Sequence, residues 1–299
     1  MKELYPSIGI ERLCRLFGKT RQAFYDHSWR QGNDQLQEAL VVDLVKNIRC
    51  SLPKVGGLKL LFLLRDDFNA HNISIGRDSF FALLKKYGLL VKRKRRYAIT
   101  TDSNHLFKKW NDLLKGFKVT TVEQLWVSDI TYLRTSNGFV YLSLITDAYS
   151  RKIVGHHLSQ HLRAQGCLIA LNKAIKARKT NGPLIHHSDR GIQYCCDPYV
   201  SLLQQNQIRI SMTQSSSPYD NALAERVNGI LKTELGLDGT FKSYTEAAGS
   251  VHQAIDAYNR LRPHMSIGNL TPDKAHTTNE NLVKRWKKKK NCKAESVIL

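Results

Sequence analysis

Apolar residues recur at three- and four-residue spacing through roughly the first ninety positions, then give way to strand-like runs from about Gln124. Ile10, Leu13, Leu16 and Phe17 predict a helix over 8–17 that Gly18 ends, and Thr20 is placed to cap a second helix running to about 27. Gly32, Asn33 and Asp34 read as a boundary. Beyond it the pattern predicts helices over 35–49, 58–68 and 77–87, with Pro53, Gly56 and Gly57 as punctuation and Gly88 as the final stop. Residues 97–118 read as a connector, partly helical around 104–114.

The strand-like half begins with 125–133, turns at Ser136, Asn137 and Gly138, and continues with 139–146 and 152–158. A helix over 164–178, a short buried-type strand at 184–187, a helix near 198–205 and a strand at 208–212 follow. A serine-rich loop, 214–219, leads into an amphipathic helix around Glu225, and a last long helix spans 245–260. Three meander strands followed by alternating helices and strands predict an α/β fold. It is a ribonuclease-H-like mixed five-stranded sheet flanked by helices, preceded by small all-α helix-turn-helix segments. The expected division is 1–32, a helix-turn-helix-like segment; 35–97, a helical DNA-binding domain; 98–121, a connector; 122–278, a catalytic domain; and 279–299, a basic tail.

Charge narrows the partner. Lysine and arginine outnumber aspartate and glutamate by 46 to 25 over 299 residues, a net charge of +21, which favours a polyanion. No apolar run approaches the ~20 residues of a spanning helix, and the N-terminus lacks a signal-peptide core, so a cytoplasmic, nucleoid-associated protein without a membrane role is expected. The six cysteines form neither a CxxC pair nor a zinc-finger spacing; they read as reduced thiols, with no structural zinc. The consecutive cations Lys92, Arg93, Lys94, Arg95 and Arg96 follow a helix bearing Arg77, Lys85 and Lys86, and all eight are candidate phosphate contacts.

Three carboxylates carry the candidate chemistry. Asp129 stands inside a strand rich in Trp, Val, Ile, Thr and Tyr, where aspartate is disfavoured unless paired or bound to metal. Asp189 follows a short apolar run and opens a turn, a role aspartate also fills structurally. Glu225, separated from Asp189 by 35 intervening residues, shares a helix face with Asn228 and Lys232, while Leu223, Val227, Ile230, Leu231 and Leu235 form the apolar side. An ordinary amphipathic helix would look the same. Asp147 and Asp220 are rivals with structural explanations, a strand end and a helix cap. Carboxylates from three elements can meet to hold two divalent cations for in-line phosphoryl transfer.

The stretches 126–132, 187–194 and 217–225, with Arg151 to Gly155, 258–264 and Leu270, Thr271 and Pro272, resemble the DDE transposases of bacterial insertion sequences. Within that family the chain is similar to the second reading-frame product of the insertion-sequence-three group, in the retroviral-integrase catalytic-core superfamily. The resemblance spans about 124–275; the stretch 53–57 departs from the family's aromatic-glycine form. It implies that Asp129, Asp189 and Glu225 are catalytic and bind two Mg²⁺, with Mn²⁺ as substitute. It implies that Lys232 contacts DNA near the cleaved phosphate; Asn228, on the same helix face, is a further candidate DNA contact. It also implies double-stranded DNA as partner, a homo-oligomer on that DNA, and joining of element ends through a circular intermediate. A nuclease that only hydrolyses, or a DNA-binding repressor with a silent catalytic domain, are the alternatives. No heptad-bearing segment precedes the helical region in this sequence, so a longer frameshift fusion remains open.

Overall fold

The computed structural model describes residues 7–91, 107–214, 221–278 and 282. Contacts divide the chain into two units, 1–50 with 55–92, and 51–54 with 93–299.

The first unit is helical. α1 (Ile10–Leu16) ends where Gly18 takes a left-handed φ of 61°. α2 (Arg21–Ser51) starts at the predicted cap, with the Ala23 amide donating to Thr20 Oγ1 at 3.1 Å. The expected break at 32–34 is absent: α2 runs through it for 31 residues. A single helical glycine costs only ~1 kcal/mol relative to alanine, so strong neighbours carry the helix across. The predicted 58–68 helix is instead two, α3 (Gly57–Leu63) and α4 (Arg65–Ala70), split where buried Leu64 adopts φ −84°, ψ 0°. α5 (Arg77–Lys86) closes with Gly88 at φ 66°; the Gly88 and Leu89 amides donate to the Lys85 and Leu84 carbonyls, satisfying the last turn. Val41, Val45, Leu60, Leu64, Phe80 and Leu84 form this unit's buried core.

The second unit holds the sheet. β1 (Leu125–Thr135), β2 (Gly138–Asp147) and β3 (Ile153–Ser159) are antiparallel neighbours, and β4 (Ile185–Ser188) and β5 (Arg209–Met212) extend the sheet in parallel beyond β1. The order β3-β2-β1-β4-β5 is the expected ribonuclease-H-like mixed sheet. A two-residue strand, β6 (Thr240–Phe241), adds to the far end of β1; the sequence pattern gave no sign of it. On one face, Trp126, Ile145 and Ile210 pack with residues of α6 (Ala164–Ala177), α7 (Ile192–Cys195) and α8 (Asp197–Gln205). On the other, Leu125, Val127 and Ile185 pack with Ala224 of α9 (Ala222–Thr233). α10 (Tyr244–Arg260) and α11 (Pro272–Thr277) complete the unit.

The connector departs from expectation. Residues 107–118 are not helical. The Leu113 amide donates to Ser211 Oγ at 2.9 Å, and the Met212 amide donates to the Asn111 carbonyl. Its polar groups are satisfied by β5, and Leu114 and Phe117 pack on the apolar cluster, so a helix would gain nothing there.

Candidate active site

β1 pairs with β4 only over Leu125–Ile185, Trp126–His186 and Val127–His187, an offset of 60. β4 ends at Ser188, so Asp189 is the first residue past its end. Carrying the same offset forward sets Asp129 beside Asp189, where β1 loses its parallel neighbour. Asp129 therefore stands mid-strand, opposite Leu144 of β2, at the mouth of a sheet edge.

Its carboxylate is held at both oxygens. The Ile130 amide donates to Oδ1 at 2.9 Å, and Asn228 Nδ2 donates to Oδ2 at 2.6 Å. Burial raises the proton affinity of Asp129, the Asp189 charge adds to it and Glu225 contributes less; the two hydrogen bonds oppose them, and the pKa settles at about 7. Asp189 is fixed by its own turn, with the Gly191 amide donating to Oδ1 at 3.0 Å. A Cβ added at Gly191 would stand 3.0 Å from that same oxygen.

α9 reaches β1 through two asparagines. Asn221, at the helix N-terminus, makes no capping bond; its Nδ2 donates to the Ser128 carbonyl at 2.9 Å. Asn228, two turns on, grips Asp129. Between them, Glu225 is exposed in the first turn, and partial burial raises its pKa. Asp129 senses both other carboxylates, yet among the described residues no three carboxylate, histidine or cysteine side chains close into a ready-made metal cluster.

Behind β1, His186 is fully buried; its Nε2 meets Ser128 Oγ at 2.6 Å and the Tyr199 hydroxyl at 2.9 Å. Burial drives its pKa down to about 3, so the ring is neutral. Sequence reasoning missed Asn221, Gly191 and this histidine. Only Asn221 gave a signal, one helical turn ahead of Glu225.

The remaining candidates are dispersed. Asn228 is buried against β1, its amide engaged with Asp129. Lys232 is half-buried in the last turn of α9. Arg77 and Lys85 are exposed on α5, whereas the Lys86 ammonium pairs with Glu38. Lys92, Arg93, Lys94, Arg95 and Arg96, and Asp220, lie outside the described residues. Asp147 is buried as a turn anchor: Oδ1 accepts from the Tyr149 and Ser150 amides and from Ser150 Oγ, and Oδ2 accepts from the Glu123 amide.

Comparison with known proteins bears on this geometry. Two models of the integrase core domain match, over residues 120–218 and 206–272. The chain is 33% identical over 265 residues to an uncharacterized 31 kDa protein of insertion element IS600 from Shigella sonnei, covering 87% of this chain and 96% of that one. It is 33% identical over 218 residues to the transposase InsF of insertion sequence IS3A from Escherichia coli, covering 72% of this chain and 76% of that one. Among solved structures, the HTLV-2 integrase catalytic core domain in complex with magnesium aligns with a TM-score of 0.43 and 19% identity, over 52% of this chain and 97% of that one. No described helix is long and apolar enough to cross a membrane.

Proposed function

The chain belongs to the insertion-sequence transposases of the insertion-sequence-three type, with an integrase core domain, and on that footing we propose that it cuts DNA at the ends of such an element and joins the 3′-OH to a new phosphodiester. DNA transposition is the family's activity; the residue roles and the cation are our reading. Asp129, Asp189 and Glu225 are the catalytic carboxylates. One observation carries this assignment: Asp129 sits in mid-strand beside Asp189, its pKa lifted to about 7 by burial and by that neighbour. A fold does not set two half-buried acids side by side at a sheet edge for stability alone.

The donor set fits two divalent cations, Mg²⁺ or Mn²⁺. All three side chains offer hard oxygen ligands, the concentrated negative charge is relieved by a cation, and Gly191 leaves the Asp189 carboxylate uncrowded. The buried Asn228 Oδ1 has no hydrogen-bond partner among the described residues, a spare acceptor beside Asp129. When bound, such cations activate the attacking oxygen and stabilise the leaving one.

The chain's own residues do the positioning. Asn228 and the Ile130 amide hold Asp129 in one orientation, and the Gly191 amide does so for Asp189. Glu225, exposed on the first turn of α9, is the carboxylate free to adjust as substrate enters. Lys232 lies two turns further along, ~10 Å on, in reach of a flanking phosphate. Arg77, Lys85 and the cations of 92–96 take the duplex backbone, and a homo-oligomer holds two element ends together. A cytoplasmic protein acting through a circular intermediate completes the reading.

The test is an oligonucleotide duplex carrying an element end, incubated with Mg²⁺. Wild type yields cut and joined strands. Asp129→Asn, Asp189→Asn and Glu225→Gln each lose both products and still shift the DNA in a gel. Near-wild-type joining by any of them removes that residue from the site, and cut strands with no joined product favour a hydrolytic nuclease.

A further inference from the structure

Asn228 has an unused atom. Its side chain is buried, at 7% exposure, in the second turn of α9, and Nδ2 donates to Asp129 Oδ2 at 2.6 Å. The other end of the amide, Oδ1, is buried with no hydrogen-bond partner among the described residues. Buried carbonyl oxygens are normally paired, and leaving one bare costs stability. Asn221 has a bare Oδ1 too, but its Nδ2 donates to the main-chain carbonyl of Ser128, so it clamps the helix to β1. Asn228 spends its donor on a carboxylate instead, which leaves a bare acceptor beside a candidate metal ligand.

Three residues meet on one side of β1. Leu125 and Val127 pack with Ala224 of α9, and strand alternation puts Asp129 on that same face. An ionised carboxylate only accepts, so the hydrogen bond fixes Nδ2 as the end toward Asp129 and holds Oδ1 one amide group away. Glu225 precedes Asn228 by three residues, so their side chains leave adjacent turns of one helix face. Ligands at this i, i+3 spacing share a metal site in helical metalloproteins. An amide carbonyl is a hard oxygen of the kind Mg²⁺ and Mn²⁺ accept, and it adds a ligand to three carboxylates without adding negative charge.

We propose that Asn228 Oδ1 is a fourth protein oxygen ligand in this site, binding the same divalent cation as Asp129 and Glu225. This rests on the reading of Asp129, Asp189 and Glu225 as the metal-binding carboxylates. It gives one side chain two tasks, orienting Asp129 through Nδ2 and touching the cation through Oδ1.

The experiment uses the full chain without DNA and reads metal binding, not strand cleavage. Mn²⁺ affinity is measured by calorimetry, and Co²⁺ binding by absorption under reducing conditions. Asn228→Ala binds Mn²⁺ about tenfold more weakly than wild type. Asn228→Cys sets a thiolate where the amide stood, and gains a sulfur-to-cobalt charge-transfer band beyond anything the six native cysteines give in wild type. Adding Asp129→Asn to that variant removes the band. Arg226→Cys, exposed on another side of the same helix, never shows it. Co²⁺ binding by Asn228→Cys without the band overturns the ligand, because position 228 then acts only through Asp129 or through a water. Unchanged Mn²⁺ affinity in Asn228→Ala overturns it as well. If these variants do not fold, Asn228→Asp, of the same shape, is expected to hold Mn²⁺ at least as tightly as wild type; weaker binding there means that only the Nδ2 donor mattered. Loss of Mn²⁺ binding in Asp129→Asn and Glu225→Gln, with the Asn228 variants unaffected, removes this ligand alone. Unchanged binding in Asp129→Asn and Glu225→Gln removes the carboxylate site, and the ligand with it.

Discussion

Asn228 donates its amide to the carboxylate of Asp129 at 2.6 Å, tying α9 to the middle of β1. The bond favours the charged carboxylate and restrains a pKa that burial and Asp189 push upward. Removing the donor lets that pKa climb. Asn228→Ala is expected to move the acid limb of the pH–rate profile for strand cleavage upward by about one unit, the worth of one hydrogen bond to a charged group. Single-turnover cleavage across pH 5–9, at a fixed Mg²⁺ concentration, measures it; an unmoved limb would separate Asn228 from the chemistry.

Gly191 takes an ordinary φ of −62°, so its backbone suits any residue. Its constraint is room: a Cβ there meets Asp189 Oδ1 at 3.0 Å and Gln193 Oε1 at 3.2 Å. Gly191→Ala should displace the carboxylate while costing the fold less than about 1 kcal/mol. The Mg²⁺ concentration for half-maximal cleavage should rise several-fold, with urea unfolding little changed. Matching Mg²⁺ curves for variant and wild type would show that Asp189 does not feel this position.

The sheet was legible in the sequence because its strands are long or strongly apolar, and Asp129 stood out as a carboxylate that β propensity cannot explain. Asn228 was legible only as a polar residue. Helical spacing puts it on a face with Glu225, but which flank of that face meets β1 depends on a contact 99 residues away in sequence. The same limit hid His186, which reads as one more residue of an apolar run until Ser128 and Tyr199 close around it. The continuity of α2 through Gly32, Asn33 and Asp34 was missed for another reason: turn-forming residues disfavour a helix by amounts its flanks can offset. Residues 107–118 take their shape from β5, which lies about a hundred positions later.

Arg262 and Glu234 form a two-pronged pair that staples the segment after α10 to the end of α9. Nε and Nη2 each donate to a carboxylate oxygen at 2.9 Å, and Nη1 meets His264 Nε2 at 3.0 Å. The guanidinium is buried, so removing its partner leaves a charge without compensation. Glu234→Ala should cost about 3 kcal/mol in urea unfolding, and a double Glu234→Leu, Arg262→Met variant should recover much of it. A loss below about 0.5 kcal/mol in the single variant would mean that the pair behaves like a surface bridge.

His186 sets a pH dependence of opposite sign to that of Asp129. Its folded pKa, about 3, lies below the ordinary 6.5, so the unfolded chain binds the proton more readily. Stability from this group is fully present above pH 6.5 and is lost as pH falls towards 3. Asp129 runs the other way: its folded pKa, about 7, exceeds 3.8, and its contribution is present at low pH and lost as pH rises through 7. Between pH 4 and 6 the two slopes nearly offset in wild type, and each variant should unmask the other. His186→Gln keeps an acceptor for Ser128 and Tyr199 but cannot take the proton. Without divalent cation it should gain stability relative to wild type as pH drops from 6.5 to 4, by about 2 kcal/mol. Asp129→Asn should show the reverse relative trend over the same range. Urea midpoints for the three proteins at pH 4, 5, 6 and 7 test both signs at once. Parallel curves would mean that His186 is protonated in the folded protein, which its contacts with two hydroxyls through Nε2 and its buried Nδ1 do not support.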